Sequence, residues 1–368
     1  MKVSIILGTR PQIIKSATVY ERLSKKGVEC EIINTGQHYD YEMNRQFFTE
    51  LKLPDPSADL NVGQGTPGEQ VSKIVGGLDR IFSVSKPDLA IVPGDTNSAL
   101  AAGVACSKSG IPIAHLESGC RSGDYRMAEE INRRLLDHMS QVLLCPTSTC
   151  VENVSSERVL ARSVANVGDT MYDTLLKFVP TLEMLDAAAK HGLEEGAYAF
   201  MTLHRAETVD DPHALRAALG AVSALGLPVA FSVHPRTQER MGSFGIEPGP
   251  SLKLLDPLPY LETLSLASRS RLVITDSGGL QKEAYWLGKP VLVMRESTEW
   301  GEIVKAGAAF LVGTAPAKIK RGYAMSKKVR PESFRATKKI FGRGNASENV
   351  VRVVTKFLSP AGKVAVEN

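Results

Sequence analysis

The sequence predicts an α/β protein built from two doubly wound parallel-sheet domains facing a cleft, and three observations carry that expectation. The chain has 368 residues, more than one usual domain holds. Short aliphatic and β-branched runs alternate with helical stretches almost from end to end, the pattern of βαβ units. Glycines or charged residues stand at the carboxyl end of nearly every run, which is where such sheets bind ligands.

The elements follow in order. Residues 3–7 form the first strand, and Gly8-Thr9-Arg10-Pro11 the turn into a helix, with Pro11 suited to the first helical position. Ile13, Ile14, Ala17 and Val19 give that helix an apolar face and leave Arg10 and Lys15 near its start. Residues 30–33 are the second strand, followed by Thr35-Gly36-Gln37-His38. The glycine-rich stretch 59–68 reads as a mobile loop, either a lid or a plain connection. Residues 89–92 lead into Pro93-Gly94-Asp95-Thr96 and a helix over 97–107. Residues 112–116 lead into Glu117-Ser118-Gly119. A helix over 127–140 carries Glu129 and Glu130, and residues 142–145 are a further strand.

Residues 168–196 read as helical and polar, and hold the interdomain connection. A second α/β run has strands at 198–203, ending in His204-Arg205, and at 228–233, ending in His234-Pro235-Arg236. Strands at 252–255, 272–275 and 290–294 complete it, and residues 345–358 are a last helix. The domains therefore divide as residues 1–168 and 169–344, with 345–368 a C-terminal helix packing back on the first domain.

Composition narrows the function. With 43% hydrophobic and 23% charged residues the chain is an ordinary globular protein. A net charge of +4, with no block of Lys and Arg, gives no reason to expect nucleic acid as a partner. Five cysteines without C-x-x-C spacing point to buried thiols in a reducing compartment, not to a disulfide frame or a metal site. Cys145 and Cys150 are the one pair close enough in sequence to consider. No apolar run reaches membrane-spanning length, so no membrane partner and a cytoplasmic location are expected.

The stretch 272–283 carries the strongest chemical signal. A buried strand turns through Asp276-Ser277-Gly278-Gly279 directly into a helix. Glycine lets a ligand approach the backbone, and the unpaired N–H groups of the helix start suit a phosphate. Ser277 adds a hydroxyl, and Glu283 faces the same ligand further along. The dinucleotide fingerprint G-x-G-x-x-G is read as absent, as are the P-loop and the G-x-S-x-G elbow, so NAD, kinase-type and serine-hydrolase chemistry are not expected. What remains is a set of carboxylates in the first domain (Asp95, Glu117, Glu129) and a cation-and-phosphate set in the second (His204, Ser277, Gly278, Gly279). Clustered carboxylates raise one another's pKa values, a route to general acids and bases near neutrality.

Gly8-Thr9-Arg10-Pro11 with Lys15, Gly94-Asp95-Thr96, Glu117-Ser118-Gly119, Glu129-Glu130-Ile131-Asn132-Arg133, His204-Arg205 and Asp276-Ser277-Gly278-Gly279-Leu280-Gln281 resemble the non-hydrolysing UDP-N-acetylglucosamine 2-epimerases. The resemblance runs from Met1 to about Leu358. It implies two Rossmann-like domains in the glycosyltransferase-B arrangement, a homodimer, and catalysis without cofactor or metal. By the same resemblance Asp95, Glu117 and Glu129 act as acid, base and oxocarbenium stabiliser. His204, Arg10, Ser277, Gly278 and Gly279 hold the diphosphate, Glu283 holds the ribose, and Lys15 lies near the nucleotide. Gln37, His38 and Arg205 stand where a second, activating substrate molecule would be held.

Departures keep alternatives open. Where the UDP-N-acetylglucosamine enzymes read Thr-Glu-Arg-Pro-Glu, this chain has Thr298-Glu299-Trp300-Gly301-Glu302. Pro11-Gln12, Gln281-Lys282-Glu283 and Thr298-Glu299-Trp300 instead resemble a branch that epimerises UDP-2,3-diacetamido-2,3-dideoxyglucuronate. Cys120 and Ala128 replace residues common to both branches. A glycosyltransferase on the same fold, a sugar-nucleotide-binding regulator and a hydrolysing relative are the remaining alternatives.

Overall fold

The computed structural model describes residues 1–37 and 41–359, the side chains of residues 41–44 excepted, so His38 and residues 360–368 lie outside the described residues. The chain divides into two compact units, Met1–Leu176 with Lys338–Asn368, and Lys177–Thr337.

The first unit holds seven parallel strands: β1 (Lys2–Leu7), β2 (Glu29–Asn34), β3 (Ala58–Asp59), β4 (Leu89–Pro93), β5 (Ile113–Leu116), β6 (Val142–Cys145) and β7 (Ser163–Asn166). Their spatial order is β3-β2-β1-β4-β5-β6-β7. The second unit repeats the plan with β8 (Ala199–Thr202), β9 (Val229–Ser232), β10 (Leu252–Leu255), β11 (Leu272–Thr275), β12 (Val291–Val293) and β13 (Ala309–Leu311), in the order β10-β9-β8-β11-β12-β13. Both are Rossmann-like sheets, so the order reverses between β1 and β4 in one unit and between β8 and β11 in the other. A crevice opens at such reversals, because neighbouring connections leave in opposite directions.

Strands at the sheet centres were legible because helices cover both faces and every residue must be apolar. All of Ile5, Ile6, Leu7, Val273 and Ile274 are buried. The strands without a sequence signal are β3, β7 and β13, all at sheet edges. There one side is solvated and a continuous apolar run is not required; β7, for example, alternates between half-buried and exposed residues.

Two expectations change. Residues 60–63 are tied to the end of β2: Leu60 donates to Asn34 O (2.9 Å), Val62 to Thr35 O (3.1 Å) and Gly63 to Gly36 O (2.9 Å). The stretch read as a mobile loop is thus a tethered connection. The G-x-G-x-x-G spacing, read as absent, is in fact present at Gly63, Gly65 and Gly68. It lies beyond the edge strand β3, not at the first strand. The helix it opens, Pro67–Val84, already has part of its N-terminal set in use. Thr66 and Glu69 form a reciprocal capping box, and Pro67 contributes no N–H. The spacing is therefore explained as a capped helix start beyond an edge strand.

The helix Ala346–Leu358 packs on the first unit's own helix Arg10–Lys25. Ser347 Oγ lies 2.6 Å from Thr18 Oγ1. The Asp173 carboxylate caps the helix start, accepting from the backbone N–H groups of Ala346 (3.1 Å) and Ser347 (2.7 Å). All five cysteines are free thiols, so Cys145 and Cys150 are not joined. Burial pushes the Cys106 and Cys145 thiols up to about 12, which leaves them poor nucleophiles. Among the described residues no helix is long and apolar enough to cross a membrane.

Candidate active site

In the first unit the polar groups gather at the carboxyl ends of β1, β4 and β5. Gln12 joins the first two of these ends, accepting from the Gly8 N–H (2.9 Å) and donating to Pro93 O (2.7 Å). Asp95 follows β4 after Gly94, which has φ +73°. Its carboxylate is gripped by Arg133, whose Nε and Nη2 lie 3.1 and 2.5 Å from Oδ2. Asn132 fixes the same residue by donating to its backbone O at 2.9 Å. Arg133 is itself buried, and its Nη1 bonds the fully buried Glu130 at 2.9 Å. Charge-assisted pairs of this kind orient a carboxylate sharply.

Glu117 follows β5 with φ +72°, in the left-handed region that non-glycine residues rarely occupy. Its N–H donates to Leu144 O on β6 (3.1 Å), so the neighbouring strand holds the unfavourable turn. Such a conformation costs about 1–3 kcal/mol and persists only where the surroundings determine it. Its carboxylate makes an ion pair with Lys15, which the helix after β1 supplies and which is only 9% exposed.

The structure separates the two neighbours Glu129 and Glu130. Glu130 is buried and committed to Arg133, Arg134 and Ser122. Glu129 stays partly exposed in the first turn of the helix Ala128–Met139. Arg10 places its guanidinium 5.5 Å from the centre of the Phe47 ring. Gln37 accepts from the N–H (2.8 Å) and Oγ (2.7 Å) of Ser98, so it is occupied in shaping the helix after β4.

Sequence reasoning missed the support behind these groups. His115 is fully buried, with Nδ1 2.6 Å from Asp137 and Nε2 2.9 Å from Gly94 O, directly before Asp95. Asp137 also accepts from Arg121 (2.7 Å) and the Gly119 N–H (3.2 Å). Burial alone would raise the Asp137 carboxyl, but His115 and Arg121 hold it below the usual carboxylate range. The one sequence signal was a histidine and a carboxylate at unusually apolar positions in a strand and a helix.

In the second unit the corresponding place is the reversal between β8 and β11. Asp276, fully buried, accepts from the N–H of His204 (2.9 Å) and of Arg205 (2.8 Å), and His204 Nδ1 lies 3.0 Å away. Burial favours the neutral acid, yet these partners hold the carboxyl below its ordinary value. With Nδ1 assigned to Asp276, the imidazole stays partly exposed on its Nε2 side. The His234 ring lies 5.6 Å from it.

Ser277 is the N-cap of the helix Gly278–Trp286 and accepts from the Leu280 N–H at 3.4 Å. A Cβ on Gly278 would meet Trp300 Nε1 at 3.7 Å and Glu299 Oε2 at 3.8 Å, ordinary contacts, and its φ is not left-handed. Among the described residues nothing requires glycine there. Glu283 is nearly buried and accepts from the Tyr260 hydroxyl at 2.8 Å. Trp300 is 4% exposed, and the fully buried Lys282 holds its ammonium 3.9 Å from the indole centre. The position where the resemblance expects arginine is therefore a walled-in cation–π pair.

The family model described as UDP-N-acetylglucosamine 2-epimerase matches residues 21–355. The chain belongs to this family. It is 37% identical to the UDP-N-acetylglucosamine 2-epimerase of Methanocaldococcus jannaschii, over 96% of this chain and 99% of that protein. It is 38% identical to the UDP-2,3-diacetamido-2,3-dideoxy-D-glucuronate 2-epimerase of Pseudomonas aeruginosa, over 97% of this chain and all of that one. A crystal structure of the M. jannaschii epimerase in complex with UDP-GlcNAc and UDP superposes with a TM-score of 0.90, at 36% identity, covering 97% of this chain and 100% of that one. A spinosyn rhamnosyltransferase at 14% identity and a TM-score of 0.56 shares the fold alone. For this epimerase-family chain, the two Rossmann-like units are those of the glycosyltransferase-B class.

The Asp276 cluster carries a pH prediction. A folded-state pKa below the ordinary Asp value of about 3.9 contributes stability that is complete above that value and is lost as pH falls through the lower one. Asp276→Asn is expected to cost about 1–3 kcal/mol at pH 7, because three donors lose their buried charged acceptor. Urea unfolding of both proteins should show this gap at neutral pH and a narrowing gap below about pH 4. A gap that stays constant with pH would contradict the assignment.

Proposed function

We propose that the chain interconverts UDP-N-acetylglucosamine and UDP-N-acetylmannosamine by inversion at C2. The observation that carries this reading is Glu117, forced into a left-handed backbone and ion-paired with Lys15, one strand away from an Asp95 clamped by Arg133. A chain that bound a sugar nucleotide without turnover would have little reason to maintain such strain.

The chemistry needs these groups. The C2 hydrogen is not adjacent to a carbonyl, so simple deprotonation is slow. Breaking C1–O as the C2 proton leaves gives UDP and a 2-acetamidoglucal. UDP then adds back at C1 while C2 takes a proton on its other face. No electrons are exchanged with a redox partner, so the reaction balances without NAD. Asp95, Glu117 and Glu129 take the acid, base and cation-stabilising roles. His204, Ser277 and the first N–H groups of the helix Gly278–Trp286, at Gly278 and Gly279, receive the charge developing on the departing diphosphate, with Arg10 and Lys15 adding cations. Glu283 holds the ribose. In this reading residues 1–168 supply the acid–base groups and residues 169–344 the UDP-binding groups. By resemblance, the active form is a homodimer.

A second reading has a specific observation behind it. Trp300 stands in place of the family arginine, as in the diacetamidoglucuronate branch, and the two relatives are equally similar. Proton NMR in deuterated water separates the readings. With UDP-N-acetylglucosamine, a growing UDP-N-acetylmannosamine anomeric signal with deuterium at C2 is expected. Reaction of the diacetamidoglucuronate alone would move the substrate assignment to the second branch. Transfer to an acceptor without deuterium at C2 would overturn the epimerase reading altogether.

A further inference from the structure

The sheet of the second unit carries a groove of about 620 Å³ at the strand ends opposite Asp276 and Ser277. Arg271 and Pro290, immediately before β11 and β12, line one side. Lys327, Arg330, Pro331 and Phe334, following the helix Pro316–Ser326, line the other.

Three cations converge here, and among the described residues none of the three is ion-paired with a carboxylate. The surrounding sequence deepens the imbalance, since residues 316–335 hold seven cations and a single carboxylate, Glu332. Glu332 is committed to Arg335, and Lys318 to Glu296. The cations are spread along the chain as singles and pairs, so no charge block announces them. The fold gathers them.

The groove is also held in shape. Arg271 Nε donates to Gly196 O at 3.1 Å, which leaves its terminal nitrogens to point elsewhere. Lys327 Nζ rests 4.2 Å from the centre of the Tyr323 ring. The Phe334 ring lies 5.5 Å from that of Tyr285, whose hydroxyl donates to Ser333 O at 3.1 Å and ties down the segment bearing Phe334. Like charges gathered without counter-charges beside a flat apolar surface fit an anion that carries its own apolar or planar body. Arginine forks match phosphate oxygens in pairs, and a dianion suits three cations better than one carboxylate does.

We infer that this groove is a second anion site, taking a phosphate-bearing ligand whose phosphate lies among Arg271, Lys327 and Arg330 and whose body packs on Phe334 and the two prolines. It is independent of the C2 reaction proposed above.

The test is calorimetric titration of inorganic pyrophosphate into the full chain with UDP present in excess, repeated with a Lys327→Glu/Arg330→Glu variant. Both side chains are exposed, so the melting temperature should not move. Sedimentation with phosphatidylcholine vesicles, with and without phosphatidic acid, runs alongside. Pyrophosphate binding that weakens about tenfold or more in the variant supports the site and a soluble ligand. Binding only to vesicles containing phosphatidic acid, lost in the variant, supports the site with a lipid headgroup as the phosphate source. No binding in either arm, or binding that the variant retains, overturns it. Turnover of the UDP-sugar should be unchanged in the variant, so failure here leaves the reaction untouched.

Discussion

Asp95→Asn and Glu117→Gln are each expected to lower turnover of the UDP-sugar by about 100- to 10,000-fold, the range that a positioned acid or base contributes. Both substitutions keep size and shape. The amide oxygen put in place of the Asp95 carboxylate would still accept from Arg133, and the amide in place of the Glu117 carboxylate would still fit the turn after β5. Both proteins should still fold, with melting temperatures lowered by several degrees where Arg133 or Lys15 loses a charged partner. The loss should fall on kcat more than on KM, because in the proposed reaction each group works on the C2 proton or the developing positive charge and not on UDP. Exchange of the C2 hydrogen with solvent deuterium, followed by NMR, reports the proton step directly. Glu117→Gln also removes the partner of Lys15, leaving a nearly buried ammonium, so a modest rise in KM would accompany it. Full activity in either variant would remove that carboxylate from the mechanism. Loss of activity together with loss of folding would assign it to structure.

Gly119→Ala is expected to have the largest effect on stability. Gly119 has φ +77°, and a Cβ there would lie 2.2 Å from Cys150 O and 2.8 Å from Cys150 C. These are backbone atoms of the helix Ser148–Ser156, which cannot step aside as a side chain would. The left-handed backbone costs about 1–2 kcal/mol and the forced overlap about 1–3 kcal/mol more. A melting temperature lower by roughly 10 °C follows for a unit of this size. Gly110→Ala isolates the first term. Gly110 also has a left-handed φ of +66°, with nothing within 4 Å of its Cβ position. It should lose only the backbone contribution, and equal losses in the two variants would show that the Cys150 contact does not matter. Because Gly119 also donates to Asp137, its displacement would disturb the support under His115 and Gly94, so activity should fall with stability.

Much of this was legible from residues alone. The central strands declared themselves because a strand covered on both faces tolerates only apolar side chains. Asp95, Glu117, His204 and Ser277 were singled out as candidates because a parallel sheet presents polar residues to ligands beyond its carboxyl ends. Their residue types and order along the chain carried the family resemblance. That information is local: a run, a turn, the residue that follows it.

The tertiary structure decided what depends on distant partners. Which of Glu129 and Glu130 is spent on structure is set by Arg133, Arg134 and Ser122, whose positions no spacing rule supplies. Arg133 reaches Asp95 from 38 residues away, and Asp137 reaches His115 from 22. The edge strands, the tethering of residues 60–63 and the meaning of the Gly63–Gly68 spacing likewise rested on neighbours brought in by the sheet. So did the gathering of Arg271 with Lys327 and Arg330. Strand ends are specified by short-range patterning, whereas electrostatic partners are chosen by packing. The sequence therefore singled out the candidate groups at the strand ends, and the fold alone selected what holds them.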